Sequence, residues 1–275
     1  MTPGADRTVA RAEGIRGFHD AIAPEYDRMF DRPGPGRWVR ERVQKALLAA
    51  FSPGDSVLEL NCGTGTDAVF LAEHGIRVTA TDISPAMVAA TAAKARARGV
   101  EALVRTEVVD AAEIALPGGG PFSGAYSNFD GLNYLEDIGA FAGKIGGLLS
   151  PGAPLLCMVL NRICLWEVLY FAGRLDPRRA LRRARRRGEE LSGPHVPLKL
   201  YFPGEFASRF ARDFRLKGVH GFGLLLPPAG FGRLYRTRES LLRAVEPWDA
   251  RIAGMFPLRN LCDHYLIELR RLEGR

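Results

Sequence analysis

The chain has 275 residues, 47% hydrophobic and 25% charged, enough for one good core with a small appended subdomain. Its four cysteines (Cys62, Cys157, Cys164, Cys262) lack C-x-x-C spacing, which argues against structural zinc and a disulfide framework; no metal is expected. The net charge of +7 sits in one stretch: Arg174 to Arg187 holds eight arginines and one aspartate, and the rest of the chain is neutral.

In chain order, residues 1–16 are polar and read as loosely packed; without an apolar signal core they give a cytoplasmic expectation. Residues 18–30 and 36–51 predict two helices, parted by the breaker cluster Arg32-Pro33-Gly34-Pro35-Gly36. Pro53-Gly54-Asp55 turns into a strand over 56–60, which ends in Glu59-Leu60-Asn61-Cys62-Gly63-Thr64-Gly65. A helix over 66–74, a strand over 77–81 closed by Asp82, and a helix over 84–98 follow. Ser84 suits the N-cap of that helix and Pro85 its first position. An apolar run over 102–109 ends in Asp110, and residues 122–129 form a fourth strand-like element. A helix over 136–149 and a continuous apolar strand over 155–160 complete the alternation, so a parallel sheet is expected.

After Asn161 the alternation breaks. Residues 162–173 predict a strongly apolar helix, and the arginine run follows it. Next come a strand over 198–202, a helix over 205–214, a strand over 215–223, a helix over 238–255 and a final alternating strand over 263–270. No apolar run reaches membrane-spanning length, because Asn161, Arg162 and Glu167 interrupt it.

The glycine turn carries the chemistry. Gly63 and Gly65 permit a tight turn and close approach of a ligand to the backbone, where the free N–H groups of a helix begin. Asp82, 19 residues after Gly63, suits a pair of ribose hydroxyls. Gly63-x-Gly65-x-x-Ala68 also satisfies the dinucleotide fingerprint, so a nicotinamide cofactor competes. Glu59 weighs against it, since a pyrophosphate would meet a negative charge there. Glu59, Asp82 and Asp110 at three strand ends fit an ammonium, a ribose and an adenine amine better than two phosphates.

These residues in this order resemble the S-adenosylmethionine site of class I methyltransferases. The glycine motif, the Asp82 segment Thr81 to Met87, and Val109-Asp110-Ala111-Ala112 each have a counterpart there, as does the strand before Asn128. Ala23-Pro24-Glu25-Tyr26-Asp27 resembles the segment that covers the cofactor. The resemblance implies an α/β fold: a doubly wound, seven-stranded, mostly parallel Rossmann-like sheet with an antiparallel last strand and a lid inserted after the fifth strand. It divides the chain into an N-terminal cofactor-covering part (1–35), a cofactor-binding core (36–161), a lid or substrate insertion with the basic run (162–202) and the rest of the sheet (203–275).

By the same resemblance S-adenosylmethionine is the cofactor, held by Tyr26, Glu59, Asn61, Gly63, Gly65, Asp82, Ile83, Met87, Asp110, Ala111 and Asn128. Asp130, Asn133, Tyr134, Trp166 and Tyr201 are candidates to meet the acceptor. Tyr134 and His195 are candidates to orient or deprotonate it. The expected reaction is methyl transfer to an oxygen or nitrogen of a small, partly apolar metabolite, of the kind met in secondary metabolism. The rivals are a NAD-dependent oxidoreductase and a cofactor-binding regulatory or scaffolding protein without transferase activity. The apolar helix and arginine run read as a lid beside a solvated basic helix, or as a peripheral contact with an anionic membrane. The absence of interleaved aromatics from the run weighs against nucleic acid.

Overall fold

A computed structural model describes residues 3–30, 35–116, 119–184, 198–228 and 231–273. Two N-terminal helices, α1 (Pro3–Ile22) and α2 (Tyr26–Phe30), precede α3 (Pro35–Ala50). The alternating part is β1 (Ser56–Leu60), α4 (Thr66–Glu73), β2 (Arg77–Asp82), α5 (Pro85–Ala97), β3 (Val104–Val108), β4 (Gly124–Ser127), α6 (Ile138–Leu148) and β5 (Pro154–Leu160). Then come α7 (Leu165–Ala172), α8 (Pro177–Ala180), α9 (Pro203–Phe210), β6 (Phe214–Phe222), α10 (Gly232–Ile252) and β7 (His264–Arg271).

The seven strands form one sheet in the order β3-β2-β1-β4-β5-β7-β6. β1 to β5 pair in parallel, and β7 runs antiparallel to both β5 and β6. This is the Rossmann-like methyltransferase fold. Strand alternation divides the core between the two faces. Leu58 and Leu60 pack with Phe141, Ile145, Phe206 and Tyr265, whereas Val57 packs with Val43, Leu47, Leu71 and Tyr126. Strand order reverses between β1 and β4, so their carboxyl ends open a crevice, and the loops carrying Asn61 and Asn128 flank it. Ser84 caps α5, its Oγ accepting from the Met87 N–H at 3.1 Å.

Three expectations need correction. The N-terminal stretch is not loose: Pro3–Ile22 is helical, and Asp20 Oδ1 accepts from Ser84 Oγ at 2.5 Å and from the Ala86 N–H at 3.1 Å. Composition hid this helix because it is secured by polar contacts at the ribose-side loop, not by an apolar stripe. Residues 198–202 are no strand; only Tyr201 makes a bridge, to Asn161. The final helix begins earlier, at Gly232, and bends at Arg238, where φ is −136°. No helix among the described residues is long and apolar enough to cross a membrane.

Candidate active site

A cavity of about 290 Å³ lies over the carboxyl ends of β1, β2 and β4. Nine of the eleven expected cofactor residues line it: Tyr26, Glu59, Asn61, Gly63, Asp82, Ile83, Asp110, Ala111 and Asn128. Asp82 is 6% exposed; its Oδ2 accepts from the Gly63 N–H and its Oδ1 from the Ser84 N–H, both at 2.9 Å. Each oxygen keeps a second lone pair for a hydroxyl. Asp110 is fixed the same way, accepting from the Ala112 N–H at 2.8 Å. Glu59 is buried, and its Oε2 has no hydrogen-bond partner among the described residues. Burial, reinforced by the charge of Asp67, holds the Glu59 carboxyl well above the usual carboxylate range. A cationic ligand group would relieve both the unmet oxygen and the raised pKa. The donor set thus fits an ammonium, a vicinal diol and an exocyclic amine.

Gly65 and Met87 do not line this cavity. Gly65 has φ +76°, and an added Cβ would sit 2.7 Å from Thr91 Oγ1, so α5 rather than a ligand fills the space beside it. Met87 is fully buried beneath the ribose-side loop, and Ile83 lies at the cavity wall in its stead.

Several wall residues gave no sequence signal. Asp67, in the first turn of α4, is buried and accepts from Arg40 Nη1 and Asn128 Nδ2, both at 2.8 Å, and from Gln44 Nε2 at 3.0 Å. It fixes Asn128 opposite Glu59 and could have been found only as a carboxylate inside an apolar helix. From α1, Arg11, Ile15 and His19 close the cavity, and Arg11 Nη2 donates to the Tyr134 carbonyl at 2.8 Å.

A second cavity of about 680 Å³ adjoins the first; His19, Tyr26, Phe129 and Tyr134 line both. Its walls are largely apolar, with Trp38, Met158, Leu160, Tyr170, Phe171, Leu198 and Leu226 among them. Of the expected acceptor residues, Asp130 and Tyr134 line it. Asn133, Trp166 and Tyr201 do not. Asn133 is fully buried and spends its amide on the backbone, donating to the Lys199 carbonyl and accepting from the Leu160 N–H. Trp166 meets Phe231 at a tilt, ring centroids 5.9 Å apart, and Tyr201 packs on the core beside Phe206. His195 lies outside the described residues.

One side of the second cavity is an ionic chain. His264 Nε2 is 3.0 Å from Asp130 Oδ2, and its Nδ1 is 2.9 Å from Asp263 Oδ2. Arg183 Nη2 is 2.7 Å from Asp263 Oδ1 and 2.5 Å from Glu167 Oε1, and Arg182 pairs with Glu167 at 3.0 Å. Burial alone would lower the His264 pKa, but Asp130 and Asp263 outweigh it and push it up to about 10, so the ring is cationic at neutral pH. Asp263 and Glu167 move the other way. Burial would raise them, yet His264 and Arg183 beside the first, and Arg182 and Arg183 beside the second, hold both below the ordinary range. This corrects the reading of 174–187 as a solvated face: Arg183 is 6% exposed and part of the wall. Arg174, Arg178 and Arg179 are exposed, and Arg185 to Arg187 lie outside the described residues.

Residues 57–152 match a family described as a methyltransferase domain. A demethylmenaquinone methyltransferase of Thermus thermophilus is 34% identical over 170 residues, covering 56% of this chain and 74% of that protein. Another, of Symbiobacterium thermophilum, is 26% identical over 158 residues, covering 54% of this chain and only 59% of that protein. Among solved structures, the [4+2]-cyclase SpnF superposes with a TM-score of 0.64 at 16% identity, covering 96% of this chain and 97% of that one, a likeness of fold alone. The glycine turn, the three strand-end carboxylates and the relatives agree on S-adenosylmethionine as the cofactor. The chain belongs to the class I S-adenosylmethionine-dependent methyltransferases.

Proposed function

We propose that this enzyme transfers a methyl group to an oxygen of a bulky, mostly apolar, quinol-type small molecule. The observation that carries this reading is the second cavity: its volume suits a molecule of that size, its walls are largely apolar, and it shares four wall residues with the cofactor cavity. Two relatives named as demethylmenaquinone methyltransferases support a quinone-type acceptor, and one named as a ubiquinone biosynthesis O-methyltransferase, of Xanthomonas axonopodis pv. citri, supports an oxygen as the atom methylated. When bound, S-adenosylmethionine supplies an electrophilic methyl group on a positively charged sulfur. The protein's work is then to bind, align and exclude water. In this reading Glu59 meets the ammonium, Asp82 the ribose hydroxyls, and Asp110 with Ala111 the adenine edge. Tyr26, Asn61, Gly63, Ile83 and Asn128 shape the walls. His19, Tyr26, Phe129 and Tyr134 frame the window through which the acceptor atom reaches the methyl group.

The test is S-adenosylhomocysteine formation with reduced 1,4-naphthoquinones carrying alkyl chains of increasing length, beside a small polar catechol. The expected result is a kcat/KM that rises with apolar chain length. Cofactor binding by calorimetry without turnover of any acceptor would instead favour a cofactor-binding protein without transferase activity.

Glu59 gives a second expectation. Its carboxyl is held above the ordinary range, so at a pH below that raised value a bound ammonium should drive a proton off it, and cofactor affinity should tighten as pH rises through it. Calorimetry at one pH in two buffers of different ionisation heat measures that release directly. The buffer-dependent heat should vanish in Glu59→Gln, with a loss of affinity of about 1.5–3 kcal/mol for the missing charged partner. Identical heats for the wild type in both buffers would move the ammonium away from Glu59.

A further inference from the structure

The polar side of the second cavity has no spare cation among the described residues, and Glu246, which lines it 3.8 Å from Arg42, adds a further carboxylate. Arg42 pairs with Asp249 at 3.1 Å, Arg182 with Glu167, Arg183 with Asp263, and His264 with Asp130. Every arginine that lines the cavity is therefore already matched by a carboxylate, and a phosphate or carboxylate on the acceptor would find no uncommitted cation among the described residues. One acceptor site is left over: Asp130 Oδ2 is taken by His264, whereas Oδ1 has no hydrogen-bond partner among the described residues. A buried carboxylate oxygen without a donor calls for one.

The backbone holds Asp130 in place against its own preference. Phe129 and Asp130 are consecutive left-handed residues, with φ of 51° and 68°. The next residue, Gly131, lies so close to Asn61 that an added Cβ would stand 2.5 Å from the Asn61 Cβ, which ties this loop to the glycine turn. Phe129 lies at the window common to both cavities and Gly131 in the cofactor cavity wall, so Asp130 stands beside the point where the two ligands meet.

We propose that the acceptor is uncharged and carries a hydroxyl, that the Asp130 carboxylate, whose side chain is 24% exposed and lines the cavity, accepts its hydrogen and takes its proton during transfer, and that His264 is the positioning residue that aims that carboxylate. This rests on the methyl-transfer reading above. In the step, the acceptor O–H bond breaks and its proton passes to the Asp130 carboxylate. The oxygen electron pair forms the new O–C bond, and the C–S pair stays with the departing thioether. His264, both of whose ring nitrogens are committed to carboxylates, neither gives nor takes a proton.

The probe is 4-nitro-1-naphthol, whose absorbance reports its ionisation, titrated with the wild type, Asp130→Asn and His264→Gln. 1-Methoxy-4-nitronaphthalene is the control without a hydroxyl proton. In the wild type the bound naphthol should hold its proton to a pH at least about one unit higher than it does free, because a carboxylate favours the neutral hydroxyl. Asp130→Asn should abolish that shift while binding the methoxy control equally. His264→Gln should enlarge it by removing the nearby positive charge, an opposite change that general loosening of the site would not produce. Turnover of a naphthol should fall about 100-fold or more in Asp130→Asn, mostly in kcat. An equal shift in wild type and Asp130→Asn, when both bind the probe, overturns the assignment and leaves the methyl-transfer reading standing. Failure of the wild type to bind either naphthalene overturns both.

Discussion

Gly65→Val is expected to cost the fold about 3–5 kcal/mol, although Gly65 itself is not in the cavity wall that its neighbours Thr64 and Thr66 line. Two penalties add. A side chain at φ +76° is strained by about 1–2 kcal/mol, and a β-branched one by more. The added Cβ would also drive into Thr91, which is fully buried on α5, and overpacking of that kind costs about 1–3 kcal/mol. Thr91 cannot simply turn aside, since its Oγ1 donates to the Gly63 carbonyl at 2.9 Å. Thermal unfolding should show a large loss of stability, and shortening the facing side chain in the double variant with Thr91→Ala should return part of it. A Gly65→Val protein with wild-type melting and only a cofactor defect would restore the view that this glycine serves the ligand.

Arg183→Ala should be comparably costly, about 3–5 kcal/mol, because it leaves two buried carboxylates short of their shared cation. The pH dependence separates this from mere loss of packing. The pKa values of Asp263 and Glu167 are depressed in the folded state, so their contribution is present above the ordinary carboxylate range and is lost as pH falls through their lowered values. The wild type should therefore lose stability steeply in acid, and Arg183→Ala should start lower and fall less. His264 works in the opposite sense: raised to about 10 in the folded protein, it contributes fully below its unfolded value near 6.5, and that contribution drains away as pH rises towards 10. Parallel acid limbs for wild type and variant would deny Arg183 its electrostatic role.

The cofactor cavity was largely legible in the sequence because a short stretch builds it. Glu59, Gly63, Asp82, Asp110 and Asn128 occupy successive strand ends, and each sits beside a turn or helix start that local rules detect. Gly65 and Met87 lie off the cavity wall, because spacing marks a position without telling which neighbour fills the space next to it. The second cavity was far less legible. Asp130, Glu167, Arg183 and His264 come from four separate segments, and only the sheet's return through β7 brings them together. Asp263-His264 read as the start of an alternating strand; His264 does open β7, with Asp263 just before it, but alternation says nothing about the partners of these residues. The arginine run misled through composition, since a buried Arg183 and an exposed Arg178 look alike until Glu167 and Asp263 are seen beside the first.

The strand order also governs when each part of the molecule can form. Among the described residues β6 pairs with no strand but β7, and β7 threads between β5 and β6, so β6 cannot join the sheet until the segment that follows it in sequence has been made and docked. β1 to β4 need only short crossovers to find one another, whereas the β5–β7 ladder matches Pro154 with Arg270 across a long loop whose closure entropy must be met first. During synthesis, then, the half that grips the nucleoside is complete while the half that selects the acceptor still awaits its last strand. A nascent chain halted before His264 exposes the unpaired flank of β5, an apolar edge of the kind that chaperones cover.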